Sequence, residues 1–226
     1  MTGTLVNTGA IIAGSVIGMT AGKHLPERLK TIAMQGLGLS VILVGLRMAL
    51  PEQGSLAAIV CLLLGALTGE LLRIEQGIER IGGWLKRRTG SGSATFVEGF
   101  LTASILYLTG AMVIVGSIQD GTVGDTSTLY IKSLLDGVAS IALASTLGIG
   151  VAFSAISVLL VQGAITLLAS HLHLLREPAV LNAVTTTGGL MILGIGINLL
   201  AMARIRIGNF LPALPYAIIW AVFYTG

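Results

Sequence analysis

Apolar residues in this chain gather into eight runs of about 17 to 22 residues, the length a helix needs to cross a hydrocarbon core of about 30 Å. The runs lie near 4–21, 31–50, 55–73, 96–117, 131–149, 152–170, 179–200 and 207–225. A bilayer holds no water to satisfy backbone groups, so runs of this length must be helical. The short alternating strands of a membrane barrel are missing from the pattern. The expectation is an all-α, polytopic transmembrane helix bundle of about eight membrane helices, one integral membrane domain over residues 1–226. The division inside 134–170 has an alternative. Read as a tight hairpin, Gly148-Ile149-Gly150 gives eight helices; read as a kink in one long helix, it gives seven.

The thirteen Lys and Arg residues are unevenly spread. With the N-terminus outside, the inner side holds Lys23, Arg28, Lys30, Arg73, Arg80, Lys86, Arg87, Arg88, Arg204 and Arg206. The outer side holds Arg47, Lys132 and Arg176. This positive-inside bias puts both termini outside. A seven-helix chain would move Arg204 and Arg206 to the outer side, so charge favours eight. Charged residues make up 10% of the chain and hydrophobic ones 54%, which leaves no soluble domain. No basic stripe with interleaved aromatics marks a nucleic-acid surface. Met1–Gly9 lacks the cationic start of a signal peptide, so the first run is expected to stay as a helix. Cys61 is the single cysteine and can form no disulfide within the chain.

The polar stretch at 74–88 has its own period. Ile74, Ile78, Ile81 and Trp84-Leu85 recur at helical spacing, with Glu75, Glu79, Arg80, Lys86 and Arg87 opposite. This predicts a short cytoplasmic amphipathic helix in the membrane interface. Trp84 would sit at headgroup depth, with Lys86, Arg87 and Arg88 near anionic lipid. A solvated loop helix is the alternative.

Glycine is frequent, at 31 residues. Gly14 with Gly18, and Gly65 with Gly69, make small faces that let helix backbones approach closely. Packing within one bundle accounts for them; a homo-oligomer contact is the alternative. Gly38-Leu-Ser-Val-Ile-Leu-Val-Gly45 resembles Gly189-Leu-Met-Ile-Leu-Gly-Ile-Gly196, and Thr109–Gly116 resembles Thr187–Gly194. Each pair runs in opposite directions by the topology above, as an inverted repeat requires. Chance likeness between Gly-rich helices would look the same.

Ionisable and polar groups at membrane depth are the candidate sites. Glu98 and Asp136 each open a helix and precede a glycine, and either could hold a cation or proton. The helix dipole alone would also favour an acid in a first turn. Thr185-Thr186-Thr187-Gly188-Gly189 suggests a weakened or broken helix whose backbone could coordinate an ion or solute. Hydroxyls bonded back to their own helix are the alternative. Gln35, Gln162, Asn182 and Asn198 are amides that need partners in a dry interior, where they would serve as interhelical glue. Gln162 is also a candidate for binding a solute or ion, as are Asn7 and Asn209, which begin the first and last helices. Glu70 lies at helical spacing from Arg73, its expected partner. Pro212 and Pro215 are expected to bend or open the eighth helix.

Other chemistries are set aside. His24, His171 and His173 lie in loops without cysteine, so neither a zinc site nor any other metal site is expected. No Walker loop and no nucleophile elbow is present. No cofactor is expected, and the chain is not expected to be an enzyme.

The segments Gly3-Thr-Leu-Val-Asn7, Met34-Gln-Gly-Leu-Gly38, Gly69-Glu-Leu-Leu-Arg-Ile-Glu75, Glu98-Gly-Phe-Leu-Thr-Ala-Ser104, Gly116-Ser-Ile-Gln-Asp-Gly121, Lys132-Ser-Leu-Leu-Asp136 and Arg206-Ile-Gly-Asn-Phe-Leu-Pro-Ala-Leu214 occur in this order. Over essentially its whole length the chain resembles the YqgA-like bacterial inner-membrane proteins, a domain-of-unknown-function family (554). The resemblance implies a multi-pass protein of the bacterial plasma membrane and implies no activity. The polar residues point to a secondary transporter or channel for a small solute or ion. The other expectation is a non-transporting scaffold or regulator that binds lipid or a membrane protein.

Overall fold

The computed structural model describes residues 1–23, 26–50, 55–88, 90–108, 111–169 and 177–224, and among them it is helical with no strand. The helices are α1 (Thr2–Lys23), α2 (Glu27–Ala49), α3 (Ser55–Leu72), α4 (Ile74–Arg88), α5 (Phe96–Leu108), α6 (Ala111–Thr122), α7 (Ser127–Leu147), α8 (Gly150–Leu167), α9 (Pro178–Leu199) and α10 (Ala213–Tyr224). A 3-10 turn, Ile207–Phe210, precedes α10.

Four helices, α1, α7, α8 and α9, are long and apolar enough to cross a membrane. The number rises to six if the bent pairs α3 with α4 and α5 with α6 each form one span. Met34–Ala49 and Ile207–Phe223 are shorter apolar stretches. Two of the eight hydropathy runs therefore divide differently in space. The fourth is split into α5 and α6, bent by 64°. The eighth opens with the 3-10 turn and becomes α-helical at Ala213, because Pro212 and Pro215 lack the N–H that an earlier start would use.

The long helices are apolar outside and polar inside. On α7, Ile131, Leu134, Leu135 and Val138 are exposed, while Lys132, Ser133, Asp136 and Ser140 are buried. On α8, Leu160, Val161 and Leu167 are exposed, while Ser154, Gln162 and Thr166 are buried. Water would favour the reverse; a hydrocarbon solvent favours this order.

The described residues belong to two compact units. The first covers 1–37, 79–108 and 112–172. In it α1 runs parallel to α7, with Gly3 against Leu129, Gly14 against Gly137 and Ser140, and Gly18 against Ile141. Helix α8 returns antiparallel to α1, so Thr4 meets Thr166 and Asn7 meets Gln162. Residues 134–169 thus form two helices turning back at Gly148. That residue has φ 74° and ψ −153°, a conformation open to glycine and hardly to other residues. Gly148→Ala is expected to cost about 1–3 kcal/mol, read as a lower unfolding temperature in detergent. Helix α5 lies parallel to α8, with Gly150 beneath Phe96 and Ser104 bonded to Ser157 at 3.0 Å.

The second unit covers 38–78, 109–111 and 173–226. Here α2 and α9 pack antiparallel through the two glycine pairs that looked alike in sequence. Gly38 faces Gly196 and Leu200, and Gly45 faces Gly189 and Leu193. Gly65 admits Ala213 and Gly69 admits the Asn209 carbonyl, so α3 lies against the 3-10 turn and the start of α10. Both small-residue faces, at 14–18 and 65–69, are covered by the chain itself.

Candidate functional site

The densest buried polar group lies in the first unit, where α1, α7 and α8 meet. Asn7 is at its centre, fully buried. Its Nδ2 donates to Asp136 Oδ2 at 3.0 Å and to Gln162 Oε1 at 3.0 Å. Gln162 Nε2 donates to Thr4 Oγ1 at 3.2 Å, and the Thr4 and Thr166 hydroxyls are 3.2 Å apart. Lys132 Nζ donates to the same Asp136 Oδ2, forming an ion pair across one turn of α7. The ammonium lies 6.0 Å from the Tyr107 ring centroid. The Tyr107 hydroxyl is 2.7 Å from Ser140 Oγ, which ties α5 to α7. Toward the start of α1, Asp120 Oδ1 accepts from the Met1 amino group at 2.9 Å and Oδ2 from the Gly3 N–H at 3.1 Å. A carboxylate there meets the positive end of the helix dipole.

Five buried side-chain oxygens have no hydrogen-bond partner among the described residues. Asn7 Oδ1 and Ser15 Oγ lie in α1, Ser117 Oγ in α6, and Thr186 Oγ1 and Thr187 Oγ1 in α9. The cavity between α1 and α8, about 420 Å³, is apolar, lined by Ile12, Val16 and Met19 and by Phe153, Ile156 and Leu159.

The second unit holds a different arrangement. Asn209 Nδ2 donates to Glu70 Oε2 at 2.6 Å, while its Oδ1 accepts the Glu75 N–H at 2.8 Å. Glu75 Oε2 accepts the Gly208 N–H at 3.0 Å, and Arg206 pairs with Glu70 at 2.7 Å. Asn209 thereby caps an N–H in the first turn of α4 that no carbonyl within the helix can reach. It forms a clasp at the α3–α4 corner, where Arg73 takes φ 53°. Glu70 pairs with Arg206 and not with Arg73 as expected, because Arg73 leaves the helical conformation there. Asn209→Ala removes both amide bonds and is expected to cost about 1–3 kcal/mol, measurable by thermal unfolding.

A family model described as "Protein of unknown function (DUF554)" matches residues 2–222. The chain belongs to the DUF554 family. It is 31% identical over 232 residues to "Uncharacterized membrane protein YdfK" of Bacillus subtilis (strain 168), covering 100% of this chain and 99% of that protein. It is 26% identical over 232 residues to "Uncharacterized protein YqgA" of Escherichia coli (strain K12), covering 99% of each. No solved structure matches. The name of the Bacillus relative and the apolar-out helices agree that this DUF554 chain is a membrane protein.

Of the residues singled out in the sequence, the DUF554 structure brings Asn7, Asp136 and Gln162 together in the first unit and Asn209 and Glu70 together in the second. Asp136 was expected in a helix's first turns. It lies nine residues beyond Ser127, about 13 Å along α7, so the helix dipole does not account for it. The helix begins earlier than its hydropathy run because Ser127, Thr128 and Tyr130 are helical despite their polarity. Lys132, counted as an outer charge, is buried beside Asp136. Glu98 is exposed in the first turn of α5 and shares no hydrogen bond with the cluster. Thr185, Thr186 and Thr187 sit in an unbroken α9, not an interrupted one, because Gly188 and Gly189 are packed tightly and Gly189 admits the backbone of Met48 and Ala49. Trp84, Lys86, Arg87 and Arg88 all lie on α4, with Trp84 and Ile81 each 56% exposed. His24, His171 and His173 fall outside the described residues. Among the described residues no cluster of three or more His, Cys, Asp or Glu could hold a metal.

Sequence reasoning missed Lys132, Thr4, Thr166 and Tyr107. One signal was available: Lys132 and Asp136 are four apart in an otherwise apolar run, the spacing that pairs charges on one helix face.

Proposed function

We propose that this chain is a secondary transporter or channel for a small solute or ion in the bacterial plasma membrane. It crosses the membrane about eight times, with both termini outside. The observation that carries this is the Lys132–Asp136 pair, buried within the first half of an apolar helix. A charge at the bilayer centre costs about 2.5–3.5 kcal/mol on insertion scales. Apolar side chains of similar volume often stabilise a fold as well as a buried ion pair does. A bundle that had only to hold together has no need of the pair.

Three features support the same reading. Helices packed within each unit run in the directions that alternate crossings require: α1 with α7 and α5 with α8 parallel, α1 with α8 and α2 with α9 antiparallel. The α5–α6 break matches the discontinuous helices of secondary transporters. The glycine-matched antiparallel pair α2 and α9 is the kind of contact an inverted repeat generates at its axis. Without a phosphate-binding loop, transport would draw on a gradient and not on ATP, and no catalytic role is assigned.

A second reading, a non-transporting scaffold or regulator, rests on a specific observation. Asn7, Asp136 and Gln162 bond to one another across helices, as structural glue does. The α4 stripe of Ile81, Trp84, Arg87 and Arg88 would then meet anionic lipid or a partner.

The test is thermal stability of purified protein against cations, anions, amino acids and organic acids. A ligand at a hundredfold excess over Kd stabilises by about 2.7 kcal/mol. A saturable shift that disappears in Lys132→Gln/Asp136→Asn supports transport at this cluster. No shift across the panel favours the scaffold.

A further inference from the structure

We infer that the exposed face of α4 docks anionic phospholipid headgroups, with Arg80 and Arg87 on the phosphates and Trp84 between them. Lipid is the occupant, not a protein partner, whether or not the chain transports. This rests on the chain being a membrane protein.

The packing of α4 decides which side chains are free to meet a headgroup. A Cβ at Gly82 would lie 3.4 Å from Val97 and 3.5 Å from Phe100, so that side of α4 is held against α5. From Arg80 onward the exposed side chains of α4 are Arg80, Ile81, Trp84, Arg87 and Arg88. At about 100° per residue, Arg80, Trp84 and Arg87 fall within about 60° of one another, and Ile81 and Arg88 flank them on one side. Arg80 and Arg87 stand about 10 Å apart along the axis.

The charge on this face has one sign. Glu75 and Glu79 point to the other side of the helix, where Glu75 Oε2 accepts the Gly208 N–H at 3.0 Å and Glu79 is half-buried. Lys86 is on that side too, half-buried and about 120° round from the exposed stripe. Arg80, and not Lys86, is therefore the third cation beside Arg87 and Arg88. A guanidinium presents paired N–H groups that match phosphate oxygens, and an anionic leaflet attracts each such charge.

The apolar part of the face selects a bilayer over an acidic protein surface. Ile81 and Trp84 are each 56% exposed beside these arginines. Just before the helix, Leu71 is 82% exposed and Leu72 73%. Helix α4 departs from apolar α3 at a bend of 59°, so it does not continue the path of that helix. A chain that leaves hydrocarbon, turns, and then carries an indole between two arginines follows the order of a membrane surface from acyl chain to phosphate.

The experiment uses the full chain in phosphatidylcholine bilayers holding a minor fraction of lipid brominated near the top of its acyl chains. The brominated lipid is either phosphatidylglycerol or phosphatidylcholine. Bromine quenches indole emission at contact, and wild-type signal minus that of Trp84→Phe isolates Trp84 from Trp220. At low salt, quenching by the phosphatidylglycerol is expected to exceed that by the phosphatidylcholine at least about twofold. The preference should shrink near about 1 M NaCl, where charges are screened beyond about 3 Å. Arg80→Gln/Arg87→Gln should be quenched equally by both lipids, while Lys86→Gln keeps most of the preference. Equal quenching in wild type, or a loss in Lys86→Gln as large as in the arginine variant, would overturn the inference. So would no quenching by either lipid, which leaves the face to water or a protein. If the arginine variant does not fold, wild type decides: a preference that falls with salt supports the site, and one that ignores salt overturns it. Flux without lipid preference removes this inference and leaves transport; lipid preference without flux does the reverse.

Discussion

Lys132→Met alone is expected to lower the free energy of unfolding by about 3–5 kcal/mol, whereas Lys132→Met/Asp136→Leu returns it close to wild type. The single substitution leaves the Asp136 carboxylate buried with the Asn7 amide as its one remaining hydrogen-bond donor among the described residues. An uncompensated charge in a low-dielectric interior costs far more than one hydrogen bond recovers. The double substitution removes both charges and fills the space with apolar groups. For a chain of 226 residues, the single variant should unfold roughly 6–20 °C below wild type. Equal losses in the single and double variants would mean that packing, not charge, holds α7 in place. The same contrast underlies the function proposed here. If the pair adds no stability over apolar residues, its presence needs a reason other than the fold.

Gly14→Val should be nearly as damaging for an unrelated reason. A Cβ at Gly14 would meet the carbonyl oxygen of Gly137, inside the contact distance of real atoms, and the Ser140 Cβ at 3.1 Å. The obstacle is backbone, which cannot rotate aside, so α1 and α7 must separate. That parting would also stretch the Asn7–Asp136 bond seven residues away. Overpacking of this kind costs about 1–3 kcal/mol and occasionally more. Gly9→Ala on the same helix is the control. Nothing lies within 4 Å of a Cβ there, and the change should be neutral or slightly stabilising. The pair is read by comparing folded yield and unfolding temperature. Equal behaviour of the two variants would contradict the close approach of α1 and α7.

Legibility in the sequence tracked how locally each feature is encoded. Helix α4 is bounded at Ile74 and Arg88, where its amphipathic period began and ended, because that period reports one helix and its two environments. Helix α9 likewise follows its hydropathy run. The α5–α6 break was hidden because hydropathy continues across it: Leu106, Leu108, Ala111 and Met112 are all apolar. Lys132 was misplaced because a lysine near the edge of an apolar run looks like a loop charge. Only the partner on the next turn shows that it is inside. Thr185–Thr187 with Gly188-Gly189 looked like an interruption because threonine and glycine are poor helix formers. Tight packing of α2 on Gly189 outweighs that preference. The polar residues of the candidate site were visible one by one, as amides and an acid at membrane depth. Their meeting was not, since Asn7 lies 129 residues from Asp136 and 155 from Gln162. Which helix packs on which is decided by tertiary contacts that no local pattern carries.

The most direct test of the central claim is ion and solute flux into proteoliposomes, comparing wild type with Lys132→Gln/Asp136→Asn. The double variant is neutral, nearly isosteric and expected to fold. The account predicts flux in wild type, dependent on an imposed ion gradient, and loss of it in the variant despite a wild-type unfolding temperature. Wild-type flux in the double variant, or no gradient-driven flux in folded wild type, would contradict it.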